Sequence, residues 1–249
     1  MLKLSEPELR EFGIRGYVVV RDVISPDMLA AASRAIDRLI EEQPPPEGYV
    51  GHHFYSPSRF DGGPLPALFY DTPVRSLAQS LVDPGEIDIA FKEIQVALNI
   101  PPFLHRPGGH HLDGYLEGEQ VPATFTMLAC VLITEQRIEN GGNLWVWPGT
   151  HRTHAAFFRE RGPDAFNEYK GYPQIAVPEP CQILGGPGDV LLAHYMLGHN
   201  IGGNYASERV RRAVYFRLRR MGHQDRWREC LCDELLEYDP VRAALNTNA

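Results

Sequence analysis

Apolar positions recur at helical spacing in the first third of the chain and at strand spacing through most of the rest. Ser5 followed by Glu8 has the pattern of a capping box and opens a short helix, whose end Gly13 and Gly16 punctuate. Tyr17-Val18-Val19-Val20 is an unbroken apolar run of strand length. Ser25-Pro26 caps a second helix, in which Met28 to Glu42 carries apolar residues at helical spacing until Pro44-Pro45-Pro46 stops it. A further helix is expected around Val74 to Leu81. Residues 48–66 lack either period and hold Tyr49, His52, His53, Phe54, Tyr55, Arg59 and Phe60. A long aperiodic, aromatic segment inside a domain reads as a binding loop or lid. From Ile87 onward, apolar runs divided by Gly and Pro turns predict strands near 87–99, 122–134, 143–147, 174–177, 188–193 and 210–218. Residues 150–173, between two of these strands, read as a second lid, and 225–236 as a closing helix.

Helices first and short strands afterwards predict a mainly β fold with flanking α: a β-sandwich or jelly roll. The expected layout is a single domain over 1–249. Residues 1–85 would form helical support and a lid loop, 86–220 the jelly-roll core, and 221–249 a C-terminal helix. Lys and Arg number 24 against 32 Asp and Glu, a formal charge of −8, which argues against nucleic acid or an anionic membrane as partner. No apolar run approaches the roughly 18 residues of a membrane helix, and the start has no signal-like apolar stretch. Cys130, Cys181, Cys230 and Cys232 form no Cys-x-x-Cys pair, so neither a disulfide framework nor a zinc knuckle is indicated, and a reducing cytoplasm is the expected setting. The expected partner is a small-molecule substrate; the oligomeric state stays open.

Two segments concentrate the chemistry. In Gly109-His110-His111-Leu112-Asp113-Gly114, residues 111 and 113 would share one face of a strand and aim an imidazole and a carboxylate at one point. Gly188-Asp189 through His199 brings further imidazoles, His194 and His199, late in the chain. Two His and one carboxylate with open positions make the facial triad of non-haem Fe(II) oxygenases. The short motif decides little alone, because His223-Gln224-Asp225 matches it too. That second pair has no His after it and reads as a solvated helix start.

In its ordered motifs the chain resembles the phytanoyl-CoA dioxygenase-like branch of the Fe(II)/2-oxoglutarate-dependent dioxygenases. Phe12 to Val20 followed by Ile24-Ser25-Pro26 resembles the family's opening. His111-Leu112-Asp113, Asn140-Gly141-Gly142 to Pro148-Gly149-Thr150-His151, Gly188-Asp189 with His199, and Arg211-Arg212-Ala213-Val214 then follow in the family's order. The resemblance implies a double-stranded β-helix, a cupin-like jelly roll. It implies that His111, Asp113 and His199 ligate Fe(II), that 2-oxoglutarate and O₂ are co-substrates, and that Arg211 clamps the distal carboxylate, with Arg209 and Arg212 as alternatives. It further implies oxidation of an unactivated C–H bond, by hydroxylation or oxidative ring closure. Many relatives place a Lys shortly before the His-x-Asp motif. Here Ile100 stands there, and Gln95, Asn99 or Thr134 is the candidate replacement contact. Asp113 speaks against the family's halogenases, which have a small residue at that place. The Gly-His-His-x-Asp-Gly stretch and the chain length also resemble family members of natural-product pathways that cyclise sugars in orthosomycin antibiotics.

His110, Tyr115, Tyr55, Arg59 and Trp147 are the candidate substrate contacts, and the mixture of aromatic and charged groups in the two lids suits a polar, sugar-containing or amino-acid-like molecule. Plainer roles stand beside these. His194 suits a structural position, His151 and His154 a cap or loop, His52 and His53 a solvated one, and at least one of Trp145 and Trp147 a place in the core. Two other readings stay open: a jelly-roll Mn or Zn isomerase or hydrolase, and a non-catalytic ligand-binding relative.

Overall fold

Helix α1 (Glu6–Arg15) begins where Glu8 reaches back to the Ser5 backbone N–H, 2.7 Å away. It ends at Gly16, whose φ of 83° lies in the left-handed region and whose missing Cβ leaves room for the His151 ring. Strand β1 (Tyr17–Val20) follows, then α2 (Pro26–Glu42), where Ser25 Oγ accepts from the Met28 N–H. The structure, a computed structural model, describes residues 2–247. The next elements are β2 (Gly51–Tyr55), α3 (Pro64–Tyr70), α4 (Val74–Val82), β3 (Ile87–Ile89), β4 (Gln95–Ile100), β5 (Met127–Leu132) and β6 (Leu144–Val146). They are followed by α5 (Thr150–Arg161), α6 (Ala165–Glu168), β7 (Cys181–Gln182), β8 (Val190–His194), β9 (His199–Ile201) and β10 (Arg211–Arg220). A 3₁₀ turn (His223–Asp225), α7 (Trp227–Cys232) and α8 (Asp239–Asn246) close the described chain.

Among the described residues the strands form two antiparallel sheets. The larger, of seven strands, runs β1-β8-β5-β10-β4-β2, with β3 paired to the far end of β10. The smaller runs β7-β6-β9. The mainly β architecture with flanking helices is as the sequence predicts. Alternation along each strand divides the apolar residues between two layers. Val18, Val96, Ala129, Val131, Val190, Leu192, Val214, Phe216 and Leu218 pack outward against Ile36, Leu68, Phe69, Leu77 and Leu81 of the helices. Ala97, Leu128, Cys130, Leu132, Leu191, Ala213 and Tyr215 face Leu144 and Val146 of the smaller sheet. The site lies in this inner layer.

Several expectations are corrected. Residues 48–66 are not all loop: β2 pairs with β4 along its length, His52 opposite Asn99 and Phe54 opposite Ala97. The strand expected at 87–99 is two strands, β3 and β4, both paired with the ten-residue β10. The strand expected at 174–177 is irregular, and pairing occurs instead at Cys181–Gln182. Pro173, Pro178 and Pro180 flank the expected stretch and supply no backbone donors for a ladder. The lid expected at 150–173 is largely α5 and α6. In α5, His151, His154, Ala155 and Phe158 are buried at helical spacing, so this segment packs inward. His151 donates from Nε2 to the Gly13 carbonyl at 3.1 Å. The closing helix is broken into three pieces, and His223 is buried, not solvated. It lies 2.8 Å from Glu237 Oε2 and 3.0 Å from Thr124 Oγ1, and Glu237 also accepts from Thr126 Oγ1. That network ties the C-terminal segment to the approach to β5. The four cysteines are free thiols. Among the described residues no helix is long and apolar enough to cross a membrane.

His194 is buried with both ring nitrogens engaged. Nε2 donates to the Glu234 carbonyl and Nδ1 accepts from the Met196 N–H, at 2.8 and 2.9 Å. Burial, only partly offset by Glu234 and Glu237, pushes its pKa down from 6.5 to about 4. Protonation of the unfolded chain therefore outruns that of the folded one as pH falls. The stability this group supplies is whole above pH 6.5 and is lost between there and about 4. The loss amounts to about 3 kcal/mol. Urea unfolding from pH 7 to 4 should show a loss of at least that order, since buried His151 and His154 act in the same direction, with a visibly flatter profile in His194→Gln. Parallel profiles for the two proteins would assign the acid lability elsewhere.

Candidate metal centre

Residues 101–126 connect β4 to β5 without regular structure, and they carry His111 and Asp113. The sequence places these two on a strand. The structure gives them a single bridge instead: the His111 N–H donates to the His199 carbonyl at 3.1 Å, and the His199 N–H returns the bond at 3.4 Å. The bridge sets the two imidazoles side by side, ring centroids 4.6 Å apart. The chain then turns at Gly114, at φ 97°, where a Cβ would strike the Ala123 carbonyl. Tyr195 fixes the turn by donating its hydroxyl to the Asp113 carbonyl at 2.9 Å.

The result is three donors at one point. His111 Nε2 lies 3.4 Å and His199 Nε2 3.7 Å from the same oxygen, Asp113 Oδ1. Donors about 2.1 Å from one ion sit about 3.0 to 3.5 Å apart at octahedral or tetrahedral angles, so this set fits a divalent transition metal with small adjustments. His199 Nδ1 donates to the Leu197 carbonyl at 3.0 Å, which leaves the Nε2 lone pair for an ion. Burial acts to raise the Asp113 pKa. The adjacent imidazoles of His111 and His199 and the charge of Arg217 outweigh it and hold the carboxyl well below its usual range. Burial lowers the His111 pKa, with Asp113 opposing, whereas at His199 the nearness of the Asp113 carboxylate outweighs burial and raises it. The carboxylate is thus ionised and ready to bind a cation.

A cavity of about 210 Å³ opens from these residues between the two sheets. Strand register writes its floor in rows. His52, Asn99 and Arg211 form one; Phe54, Ala97 and Ala213 the next; Gln95, Tyr215 and Cys130 a third; Arg217 and Leu128 the last. Leu144, His199 and Ile201 of the smaller sheet face this floor across the cavity.

Arg211 is only 6% exposed and meets no carboxylate among the described residues. Its Nε donates to Gln136 Oε1 at 2.9 Å and one terminal nitrogen to the Tyr215 hydroxyl at 2.7 Å. These anchors orient the guanidinium and leave its other terminal nitrogen uncommitted. Of the three candidate arginines only Arg211 lines the cavity: Arg212 turns to Asp37 at 2.6 Å and Arg209 is exposed in the turn before β10.

The other candidates divide. Gln95 and Asn99 line the cavity, and the Asn99 Nδ2 is already given to the Gly202 carbonyl at 2.8 Å. Thr134 is occupied at the strand edge, accepting from the Arg212 N–H, and lies off the cavity. Tyr55 is buried with its hydroxyl on the Gln43 carbonyl, and Arg59 pairs with Asp88 at another groove. Trp147 is buried beside His110, Tyr115 is half-buried against the inner core, and neither lines the cavity. His110 packs onto Gly198 and shares a proton with His154, Nε2 to Nε2 at 3.0 Å. His154 Nδ1 in turn donates to the Met196 carbonyl, and burial pushes the His154 pKa down to about 3. His52 is exposed, as expected, and also lines the cavity with Phe54. Tyr172 stands with its ring 5.9 Å from that of His111. Gln136, Tyr215 and Arg217 go unnoticed in the sequence. The last two share the period-two face of Arg211, a legible signal; Gln136 stands at an isolated bridge with Gly185, outside any strand, and gives none.

A second cluster of possible ligands, His223, Cys230 and Glu237, lies outside the cavity. There the imidazole and carboxylate satisfy one another and two threonines, so the group is complete without an ion.

No protein-family model and no curated protein matches the sequence. Solved structures do. The chain is similar to SnoK, a non-heme alpha ketoglutarate dependent carbocyclase from nogalamycin biosynthesis, at 20% identity over 86% of this chain and 83% of that one, TM-score 0.61. It is similar to HygX from Streptomyces hygroscopicus, solved with nickel and 2-oxoglutarate bound, at 16% identity over 89% of each chain, TM-score 0.61. It is similar to SnoN, a non-heme alpha ketoglutarate dependent epimerase from nogalamycin biosynthesis, at 15% identity over 86% and 82%, TM-score 0.63. HygX has also been solved with hygromycin B, and SnoN with Fe³⁺, alpha ketoglutarate and nogalamycin RO. At these identities the likeness is one of fold.

Equilibrium dialysis with Fe(II) or Co(II) followed by metal analysis should find about one ion per chain. Asp113→Ala and His199→Ala should each weaken uptake on the order of 100-fold or more. Full uptake by both variants would place the ion elsewhere, with the His223 cluster the next to test.

Proposed function

We propose that the protein is an Fe(II)- and 2-oxoglutarate-dependent oxygenase that oxidises an unactivated C–H bond of a small polar molecule in natural-product biosynthesis. The observation that carries this reading is the pairing of a three-donor metal centre with Arg211 inside one cavity. A buried guanidinium without a carboxylate partner is costly unless an anion arrives from outside. Arg211 is held by Gln136 and Tyr215 with donors to spare, and a planar guanidinium suits bidentate binding of a carboxylate. A 2-oxo dicarboxylate answers both ends of the cavity. Its oxo-acid end chelates a metal, and its far carboxylate neutralises Arg211. A jelly-roll isomerase or hydrolase has no use for that second end.

His111, Asp113 and His199 would hold the iron, and Arg211 would orient the co-substrate. When bound, iron, 2-oxoglutarate and O₂ together supply an oxidant that removes a hydrogen atom from a substrate C–H bond. The protein's own work is positioning and dryness. Ala97, Leu128, Leu144 and Ile201 give the cavity apolar walls. His52 and Phe54 on β2 and Tyr172 beside His111 are the groups placed to meet a substrate. The molecules bound in the similar structures, nogalamycin RO and hygromycin B, support an antibiotic precursor, sugar-containing in type, as the substrate class. Ring closure suits this site, in keeping with the carbocyclase among those structures, and hydroxylation is the other outcome of the same hydrogen removal.

Anaerobic titration of the Fe(II) protein with 2-oxoglutarate should develop the visible charge-transfer band of the chelate. Arg211→Met should need on the order of 100-fold more 2-oxoglutarate for the same band, since a charged bidentate contact is worth about 1.5–3 kcal/mol, while iron uptake stays unchanged. Bound iron with no band would remove 2-oxoglutarate from the reading. An unaltered titration in Arg211→Met would move the carboxylate clamp to another residue.

A further inference from the structure

Arg217 lies six residues beyond Arg211 on β10 and faces the same cavity. Its Nε and a terminal nitrogen sit 3.1 and 3.0 Å from one oxygen, Asp113 Oδ2. The other oxygen, Oδ1, is the one that faces His111 Nε2 and His199 Nε2. The two oxygens of a single carboxylate therefore have separate partners, a cation on one and the metal-ligand nitrogens on the other. Arg217 contacts no other carboxylate among the described residues.

The surroundings hold this arrangement. The Arg217 guanidinium lies 5.9 Å from the centre of the Phe125 ring, and Phe125 packs edge-on against Tyr195 at 4.8 Å. Tyr195 in turn grips the Asp113 carbonyl. Backbone and side chain of Asp113 are thus fixed from one side by two connected residues. A carboxylate left to itself can bind a metal through one oxygen or both. Through both it fills two of the six positions of an octahedral ion, and beside two imidazoles and a chelating co-substrate no position is then left open.

We propose that Arg217 is a positioning residue that restricts Asp113 to one metal-binding oxygen and thereby keeps one metal position open beside a chelating co-substrate. This rests on the oxygenase reading for the identity of the co-substrate, but not for the effect on the metal. The fork of an arginine is what the role requires, because two donors converging on Oδ2 hold that oxygen in place as well as balance its charge.

Cobalt(II) tests it, because the intensity and position of its visible d–d bands report coordination number without turnover. Wild type, Arg217→Met and Arg217→Lys would be loaded with Co(II), with thermal unfolding as the control for folding. We expect all three to take up about one Co(II) per chain. Arg217→Met should lose visible band intensity relative to wild type, most plainly once 2-oxoglutarate is bound, because an added ligand oxygen raises the coordination number. Arg217→Lys, which keeps a charged donor to Oδ2, should fall between. A Met variant with the wild-type spectrum both without and with 2-oxoglutarate would overturn the proposal. A wild-type cobalt spectrum that does not respond to 2-oxoglutarate would overturn the oxygenase reading alone, and the Met spectrum without ligand would still decide the role of Arg217. A wild type that binds no cobalt would overturn both.

Discussion

Strand β10 is the constraint from which the site follows. Its ten residues alternate strictly, with Val214, Phe216 and Leu218 buried against the helices and Arg211, Ala213, Tyr215 and Arg217 turned to the cavity. It is held on both sides, by β5 and by β4 and β3, so its register is over-determined. A slip of one residue would drive two guanidinium groups into the apolar layer and Phe216 into the cavity, a change the fold cannot absorb. The same apolar burial that stabilises the sheet therefore fixes both cationic ends of the cavity.

The two arginines are opposites in electrostatic terms. Arg217 has an internal partner in Asp113 and serves to shape a ligand. Arg211 has neutral partners only and retains its full appetite for an anion. Between them, the two imidazoles and Asp113 Oδ1 form a donor set for a cation. The cavity is thus a line of alternating charge preference: anion-seeking at one end, cation-seeking at the metal centre, and closed by an internal ion pair behind it. A molecule with an oxo-acid at one end and a carboxylate at the other fits that sequence of preferences, and walls such as Leu128 and Leu144 keep the charges effective by limiting water.

Much of this was legible in the residues themselves. Strands β5, β6, β8 and β10 and the helices at Pro26 and Val74 follow from period and caps, and the meeting of His111, Asp113 and His199 from the family resemblance of their ordered motifs. What escaped did so for identifiable reasons. Helix α5 hides because two of its buried positions are histidines, which do not register as core residues. Strand β2 hides because Gly51-His52-His53-Phe54-Tyr55 lacks clean alternation; its place is set by the open edge of β4 and not by its own propensity. His223 passes for a solvated residue because its partners, Glu237 and Thr124, lie far along the chain in both directions. The substrate candidates Tyr55, Arg59, Tyr115 and Trp147 rest on residue type alone, and type does not reveal which side of a sheet or loop a residue takes.

The most direct test of the account is a crystal structure of the anaerobic protein loaded with Fe(II) and 2-oxoglutarate. The account predicts iron on His111 Nε2, His199 Nε2 and a single oxygen of Asp113. It also predicts the oxo-acid end of 2-oxoglutarate on the metal, its far carboxylate on Arg211, and Arg217 still on Asp113 Oδ2. Iron bound at another cluster, or a 2-oxoglutarate carboxylate seated on Arg217 with Arg211 idle, would contradict it.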